Sequence, residues 1–181
     1  MSARLEAATK QYGVTLLLTN ALHDELSSEI RERCRPLDRV TVKGSTEPVT
    51  LYTHDTSLTG TQSCLALPGT PYEEHKLLLA QVHNKANTSS VLIQNNEIFI
   101  LNWNSGFHDY VKGDWRKALI HMKVCMQVRP WDTPLQVLTT YIRQAGIHMS
   151  EQSGAAEEKE NEDCRIRAPD GWLGYRSLHS K

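Results

Sequence analysis

Residues 35–54 read RPLDRVTVKGSTEPVTLYTH, and this stretch decides how the first third of the chain folds. Leu37, Val40 and Val42 predict one strand, and residues 49–52 predict a second strand that returns beside it. The residues at 44–48 include Gly, Ser and Pro, which favour a turn. The stretch therefore predicts a β-hairpin.

Helix and strand patterns alternate before this hairpin. A first helix is predicted from apolar residues at helical spacing, which are Leu5, Ala8 and Tyr12. Gly13 is suited to end it, and residues 14–19 are apolar or β-branched, which predicts a buried strand. Thr19 or Asn20 is expected to cap a second helix. Its expected apolar residues are Leu22, Leu26 and Ile30. The order helix, strand, helix, hairpin is half of an α/β sandwich.

Composition excludes several classes of protein. Twenty Lys and Arg against twenty-one Asp and Glu give a net charge of −1, which argues against a dedicated nucleic-acid binder. No apolar run reaches the length of a membrane span, and the N-terminus has no apolar signal core, so we expect a cytoplasmic chain. The 4 cysteines form no C-x-x-C pair, and the 8 histidines show no ligand spacing, which argues against a zinc site.

Four blocks of sequence carry a family resemblance. They are SARLEA at residues 2–7, TKQYGV at 9–14, RPLDRVTVKG at 35–44 and EPVTLY at 47–52. In this order and at this spacing they resemble the C-terminal part of a class III adenylate or guanylate cyclase catalytic domain. The resemblance covers residues 1 to about 55, and it implies that Met1 is an internal methionine of a longer protein.

The resemblance implies a function for two residues. In this family the ribose 3′-hydroxyl of ATP or GTP attacks the α-phosphorus, and pyrophosphate leaves. Arg4 matches the family's catalytic arginine, whose guanidinium fork stabilises the charge that builds on phosphoryl oxygens. Lys43 matches the lysine that binds the triphosphate. Intracellular signalling through cyclic nucleotides is the expected role.

The chain also departs from the family pattern. The ribose-orienting Asn that partners Arg4 would precede Met1, and the two aspartates that bind Mg²⁺ or Mn²⁺ lie upstream in the family. The residues that select ATP or GTP are also upstream. We therefore expect no metal ligands here, and no cyclase activity from the chain alone. The family works as a dimer, so a second cyclase domain, in a homodimer or heterodimer, is the expected partner. The sequence leaves open whether the parent protein is membrane-anchored.

The predicted fold class is α+β: a partial class III cyclase sandwich, then a small tetratricopeptide-like helical segment and a disordered acidic tail. Residues 1–55 form the cyclase part and 56–72 a linker. Residues 73–147 form the helical extension and 148–181 the acidic run with an aromatic tail. A short helix is expected at 72–82. Residues 91–103 are ambiguous, because strand-like composition surrounds an Asn-Asn pair that could form a hairpin turn.

One helix pair is predicted after residue 105. The residues at tetratricopeptide-like spacing are Gly106, Tyr110, Gly113, Trp115, Ala118, Met122, Cys125 and Pro130. Asp114 is expected to cap a helix, Ala118 to allow close helix approach, and Thr133-Pro134 to start the next helix, which Gly146 ends. One such unit cannot stand alone, so it must pack on other elements.

Residues 150–164 are acidic and predict disorder. Trp172 and Tyr175 follow, and they favour a segment that docks on the helical part. These features support an alternative hypothesis, in which the chain is a non-enzymatic module that binds a protein partner through the helix pair and the aromatic tail.

Overall fold

The computed structural model describes residues 2–42, 47–55, 88–148 and 165–178. The helices are α1 (Ser2–Tyr12), α2 (Asn20–Asp24), α3 (Ser28–Arg31), α4 (Thr88–Lys112), α5 (Trp115–Val128) and α6 (Thr133–Ala145). The strands are β1 (Leu18–Thr19), β2 (Cys34–Val42), β3 (Val49–His54), β4 (Ile147–His148), β5 (Ile166–Arg167) and β6 (Arg176–Leu178). This mixed architecture confirms the α+β class. The predicted linker, the helix at 72–82 and the acidic run at 150–164 lie outside the described residues.

A four-stranded sheet has the order β1-β3-β2-β6. Strands β2 and β3 pair antiparallel, with Cys34 opposite His54 and Val40 opposite Val49, so the predicted hairpin strands are confirmed. Strand β6 comes from the end of the chain and pairs parallel with Val40–Val42 of β2. The described part of the predicted tail, residues 165–178, thus contains a strand of the same sheet as the hairpin.

A β-bulge between Pro36 and Asp38 changes which side chains of β2 face inward. Arg35 is buried before the bulge, Leu37 is buried within it, and Asp38 is buried directly after it. Strict alternation would put odd- and even-numbered residues on opposite faces, whereas one extra residue shifts the phase. The bulge therefore allows odd-numbered residues up to Leu37 and even-numbered residues from Asp38 onward to point toward the interior. It also brings the Asp38 carboxylate into the core.

Helix α4 resolves the ambiguous region. Residues 91–103, whose composition also fitted a hairpin, lie within one α-helix that spans Thr88–Lys112. Phe99, Trp103 and Tyr110 are fully buried at helical spacing. The side chain of Asn96 accepts a hydrogen bond from Arg129. The hairpin alternative is therefore wrong, because burial on one helical face outweighs the β propensity of the apolar residues.

The helices predicted after residue 105 are present, with the expected residues at their ends. The Asp114 carboxylate caps α5 by accepting from the Lys117 amide, and α6 carries Pro134 at its start and Gly146 at its end. A Cβ on Gly106 would lie 3.2 Å from the Ala118 carbonyl oxygen, so small residues do permit close approach of α4 and α5.

Two expectations near the N-terminus need correction. The predicted strand at 14–19 is reduced to Leu18–Thr19, and Leu16 is exposed. The predicted second helix is divided into α2, which Thr19 caps as expected, and α3. Its Leu22 and Ile30 are exposed instead of buried. Ser27 adopts an extended conformation between the two short helices, and this break stops a continuous apolar stripe from forming.

One hydrophobic core joins the α/β elements to the helices. Its buried members are Ala8, Tyr12, Leu37, Val40, Leu51, Phe99, Trp103, Tyr110, Trp115, Ala118, Leu119, Met122, Cys125, Leu135, Leu138, Ile142 and Ile166. The helix pair thus packs on the N-terminal α/β elements, as a single pair must pack on something. Among the described residues, no helix is long and apolar enough to cross a membrane.

Candidate functional site

Of the two residues matched to the cyclase family, Arg4 alone lies within the described residues. Arg4 lies in the first turn of α1. Lys43 directly follows β2 and lies outside the described residues. Arg4 belongs to α1 and Lys43 follows β2, so the contacts of α1 and β2 are described next.

The C-terminal end of α1 lies against the start of α6 and contacts the middle of β2. Gly13 has a φ of 63° and ends α1, and a Cβ there would lie 2.8 Å from the Thr133 side chain. Asp132, next to Thr133, forms an ion pair with Arg35 near the start of β2. Tyr12 then reaches the middle of β2, because its hydroxyl donates to Asp38 at 2.7 Å.

Asp38 is the centre of a buried polar network. Its carboxylate accepts from the Tyr12 hydroxyl at 2.7 Å, the Tyr110 hydroxyl at 3.1 Å and the Arg39 amide at 2.8 Å. Arg176 Nε donates to it at 2.6 Å, and Arg176 Nη2 donates to the Tyr12 hydroxyl at 3.2 Å. Three elements and the C-terminal segment therefore meet at one fully buried carboxylate.

The electrostatics of this network favour a fixed set of protonation states. Burial raises the pKa of Tyr12 and Tyr110 well above the ordinary value, and the nearby Asp38 carboxylate raises both further. Burial opposes the charge on Arg176, but the attraction of Asp38 raises its pKa. Both tyrosines therefore remain donors, and both oxygens of Asp38 are already hydrogen-bonded. This arrangement holds elements together and does not suit a general base.

A second buried cluster joins the hairpin to the helices. Arg129 Nη1 lies 2.9 Å from Asp55, and Arg35 Nε lies 3.1 Å from the same carboxylate. Because the Arg35 Nε–H is not aimed at that oxygen, this contact is an ion pair without a hydrogen bond. Both guanidinium groups stack over Phe99, at 4.0 Å for Arg129 and 5.1 Å for Arg35. Arg35 is itself buried and forms ion pairs with both Asp55 and Asp132.

The aromatic tail docks on the helices. Trp172 Nε1 donates to the carbonyls of Tyr110 and Val111, both at 3.1 Å. Its ring packs at 5.0 Å from Trp115, and Arg176 lies 4.2 Å above the Tyr141 ring. An open pocket of about 410 Å³ lies beside this contact, and it is lined by Tyr141, Pro169, Asp170, Gly171, Trp172, Leu173, Tyr175, Arg176 and Ser177.

In the part of the chain that the structure describes, no group of three His, Cys, Asp or Glu side chains could hold a metal ion. No family model, curated protein or solved structure matches this chain.

Sequence reasoning missed the role of the Asp38–Arg176 pair. The two residues are 138 positions apart, and no local pattern links them. The available signal was Asp38 in the middle of a strand, between the apolar residues Leu37 and Val40, since a buried carboxylate needs a partner. That signal predicts a cation but does not identify Arg176.

Proposed function

We propose that this chain is the C-terminal part of a class III nucleotide cyclase catalytic domain with a helical extension. The four blocks at residues 2–7, 9–14, 35–44 and 47–52 carry the proposal. Its place of action is the cytoplasm, where ATP and GTP are present. Arg4 and Lys43 are the residues proposed to contact the nucleotide phosphates.

One contact supports this proposal. Tyr12, the last residue of α1, donates to Asp38 in the middle of β2, so the helix that carries Arg4 contacts the strand that precedes Lys43. The two cations are proposed to bind the same phosphate chain.

The proposed roles follow from the chemistry of the two side chains. The Arg4 guanidinium donates in a fork and stays charged, so it suits the charge that builds on the phosphoryl oxygens. The Lys43 ammonium acts as a point charge on the triphosphate. The ribose-orienting Asn and the metal aspartates belong to another segment. The chain alone is therefore proposed to bind phosphate weakly and to produce no cyclic nucleotide, and a second cyclase domain is the proposed partner.

Titration with inorganic triphosphate, followed by NMR, tests the proposal on the full chain. Arg4→Ala and Lys43→Ala should each weaken binding by at least about tenfold, because hydrogen bonds to charged groups contribute about 1.5–3 kcal/mol. Lys10→Ala is the matched control for Arg4, because Lys10 is an exposed cation on the same helix. Lys112→Ala is the second control, at the end of α4. Equal losses in all four variants would indicate nonspecific attraction and contradict the proposal.

The alternative is a module that binds a protein partner. Trp115, Met122 and Cys125 of the helix pair are fully buried in the chain's own core. Trp172 contacts Trp115 within the same chain. A partner would therefore have to contact other residues, which gives this alternative less support. The intact mass of the native protein, captured with an antibody to residues 169–181, separates the two. A mass well above 20.5 kDa favours the cyclase proposal, and a mass of 20.5 kDa favours the module.

A further inference from the structure

The pocket beside the aromatic tail is built from a segment that the rest of the fold holds in place. Residues 169–177 form most of its wall. The Trp172 amide donates to the Pro169 carbonyl at 3.1 Å, and Gly171 between them has a φ of 79°, so the segment begins with a β-turn. Trp172 Nε1 then donates to two carbonyls at the end of α4, both at 3.1 Å. The wall is therefore fixed to the helices before any ligand binds.

Both charged side chains that line this pocket are already compensated within the chain. Asp170 pairs with Arg167 at 2.7 Å, and Arg176 pairs with Asp38 at 2.6 Å. The Arg176 guanidinium also lies 4.2 Å from the centre of the Tyr141 ring, so a cation already occupies that aromatic face. A second cation there would be repelled by the first. The charges of the pocket therefore match a ligand that is neutral where it touches the wall.

The remaining lining side chains suit an apolar ligand that also carries hydrogen-bond acceptors. Trp172, Tyr175 and Tyr141 supply aromatic surface, and Leu173 is 68% exposed. Within the part of the chain that the structure describes, the hydroxyls of Tyr175 and Tyr141 take part in no hydrogen bond, so both can donate to a ligand. The volume of about 410 Å³ lies within the range of about 300–1,000 Å³ that is typical of ligand pockets.

We propose that this pocket binds a short proline-rich segment of another protein. A segment in the polyproline II conformation makes no internal backbone hydrogen bonds, so its carbonyls can accept from the two tyrosine hydroxyls. Its proline rings are apolar and uncharged, and such segments dock in grooves that aromatic side chains line. Because the segment is already extended, its ordering on binding costs little entropy. The inference does not rest on the proposed function, since no lining residue belongs to the four cyclase-like blocks.

NMR titration of the isotope-labelled full chain with an end-capped proline decamer tests the proposal. The amides of residues 169–177 and the indole N–H of Trp172 should shift. The indole N–H of Trp103 should not, because Trp103 is fully buried elsewhere and donates to the Pro36 carbonyl. An end-capped Gly-Ser decamer should bind at least about tenfold more weakly, because it is a flexible coil and has no apolar rings.

Variants of the lining show whether the decamer contacts this pocket. Leu173→Ala and Tyr175→Ala should each weaken its binding by at least about threefold, because each removes apolar contact surface. Tyr175→Phe should weaken it by at least about twofold, because one hydrogen bond to a carbonyl is lost. Leu101→Ala is the matched control and should leave the affinity unchanged. Leu101 is also 68% exposed, but it belongs to α4 and does not line the pocket.

Several outcomes would overturn the proposal. Equal affinity for the two decamers, unchanged resonances at residues 169–177, or equal effects of Leu101→Ala and Leu173→Ala would each do so. Binding of tetramethylammonium but not of the proline decamer would show that the pocket takes a cation. Residues 68–71 of this chain read PGTP. If the decamer binds only to the variant Pro68→Ala/Pro71→Ala, the occupant is the chain's own segment, and the assignment to another protein is wrong.

Discussion

The ion pair between Asp38 and Arg176 gives the sharpest stability prediction. Asp38→Asn keeps the size of the side chain but removes its charge. Its new amide group must then face at least one donor among Arg176, Tyr12, Tyr110 and the Arg39 amide. Arg176 would keep a positive charge at a site where its side chain is only 10% exposed, without an anion beside it.

The loss in free energy of unfolding for Asp38→Asn depends on how many partners the side chain loses. Hydrogen bonds to a charged group contribute about 1.5–3 kcal/mol each, so four donors would suggest about 6–12 kcal/mol if they were independent. They share one carboxylate, and Asn can still accept from some of them, so that sum is too large. Removal of one partner from a buried ion pair costs about 3–5 kcal/mol, because the other charge stays buried without compensation. We expect Asp38→Asn to lower the free energy of unfolding by about this smaller amount.

Urea unfolding, followed by circular dichroism and by tryptophan fluorescence, measures the effect. Arg176→Met should lower the free energy of unfolding by a similar amount. The double variant Asp38→Asn/Arg176→Met should lower it by at least about 2 kcal/mol less than the sum of the two single effects. Asp170→Asn is the control, because it breaks the exposed pair with Arg167 and should not change the midpoint measurably. Additive effects of the two core substitutions, or a midpoint for Asp38→Asn equal to that of the unchanged chain, would refute the reasoning.

Three further predictions concern other parts of the core. The pKa of Tyr12 and of Tyr110 is raised above 10.0 in the folded chain, so stability is fully present below pH 10 and falls as the pH rises above it. Urea midpoints between pH 9 and 11.5 should show this decline, and Tyr110→Phe should make it shallower. Gly146→Ala should lower the free energy of unfolding by about 1–3 kcal/mol, as measured by heat or urea, because the added Cβ would overlap the Ile166 side chain of β5. An unchanged free energy of unfolding would mean that β5 can move away. Burial raises the pKa of the Cys125 thiol to about 12, so iodoacetamide should modify this cysteine only after unfolding. Peptide mass mapping measures the modification, and rapid modification of the folded chain would contradict the prediction.

Local patterns predicted the elements whose signals are complete within a few residues. Asp114 and the Thr133-Pro134 pair marked helix starts correctly, since a cap needs only its own side chain and the next turn of backbone. The hairpin strands β2 and β3 were predicted for a similar reason, because they follow each other directly. The cyclase proposal also depends on the sequence alone, through the blocks that contain Arg4 and Lys43.

Local patterns were insufficient where burial chose between two conformations. Residues 91–103 had the composition of strands, yet Phe99 and Trp103 occupy one face of α4 and are fully buried there. The β propensity of such residues reflects the surface on which they pack, and that surface is supplied by distant elements. Leu22 and Ile30 show the opposite case, because apolar residues at helical spacing remained exposed where the helix was broken.

Neighbouring residues were enough to predict the hairpin strands and the helix caps, and they carry the four blocks that resemble a cyclase. The inward position of Asp38 and its pairing with Arg176 follow instead from the packing of distant elements. The first depends on a bulge in the register of β2 with β3, and the second on a parallel strand from the far end of the chain. A buried charge requires a compensating partner, but its position in sequence is set by chain topology, which no local spacing encodes.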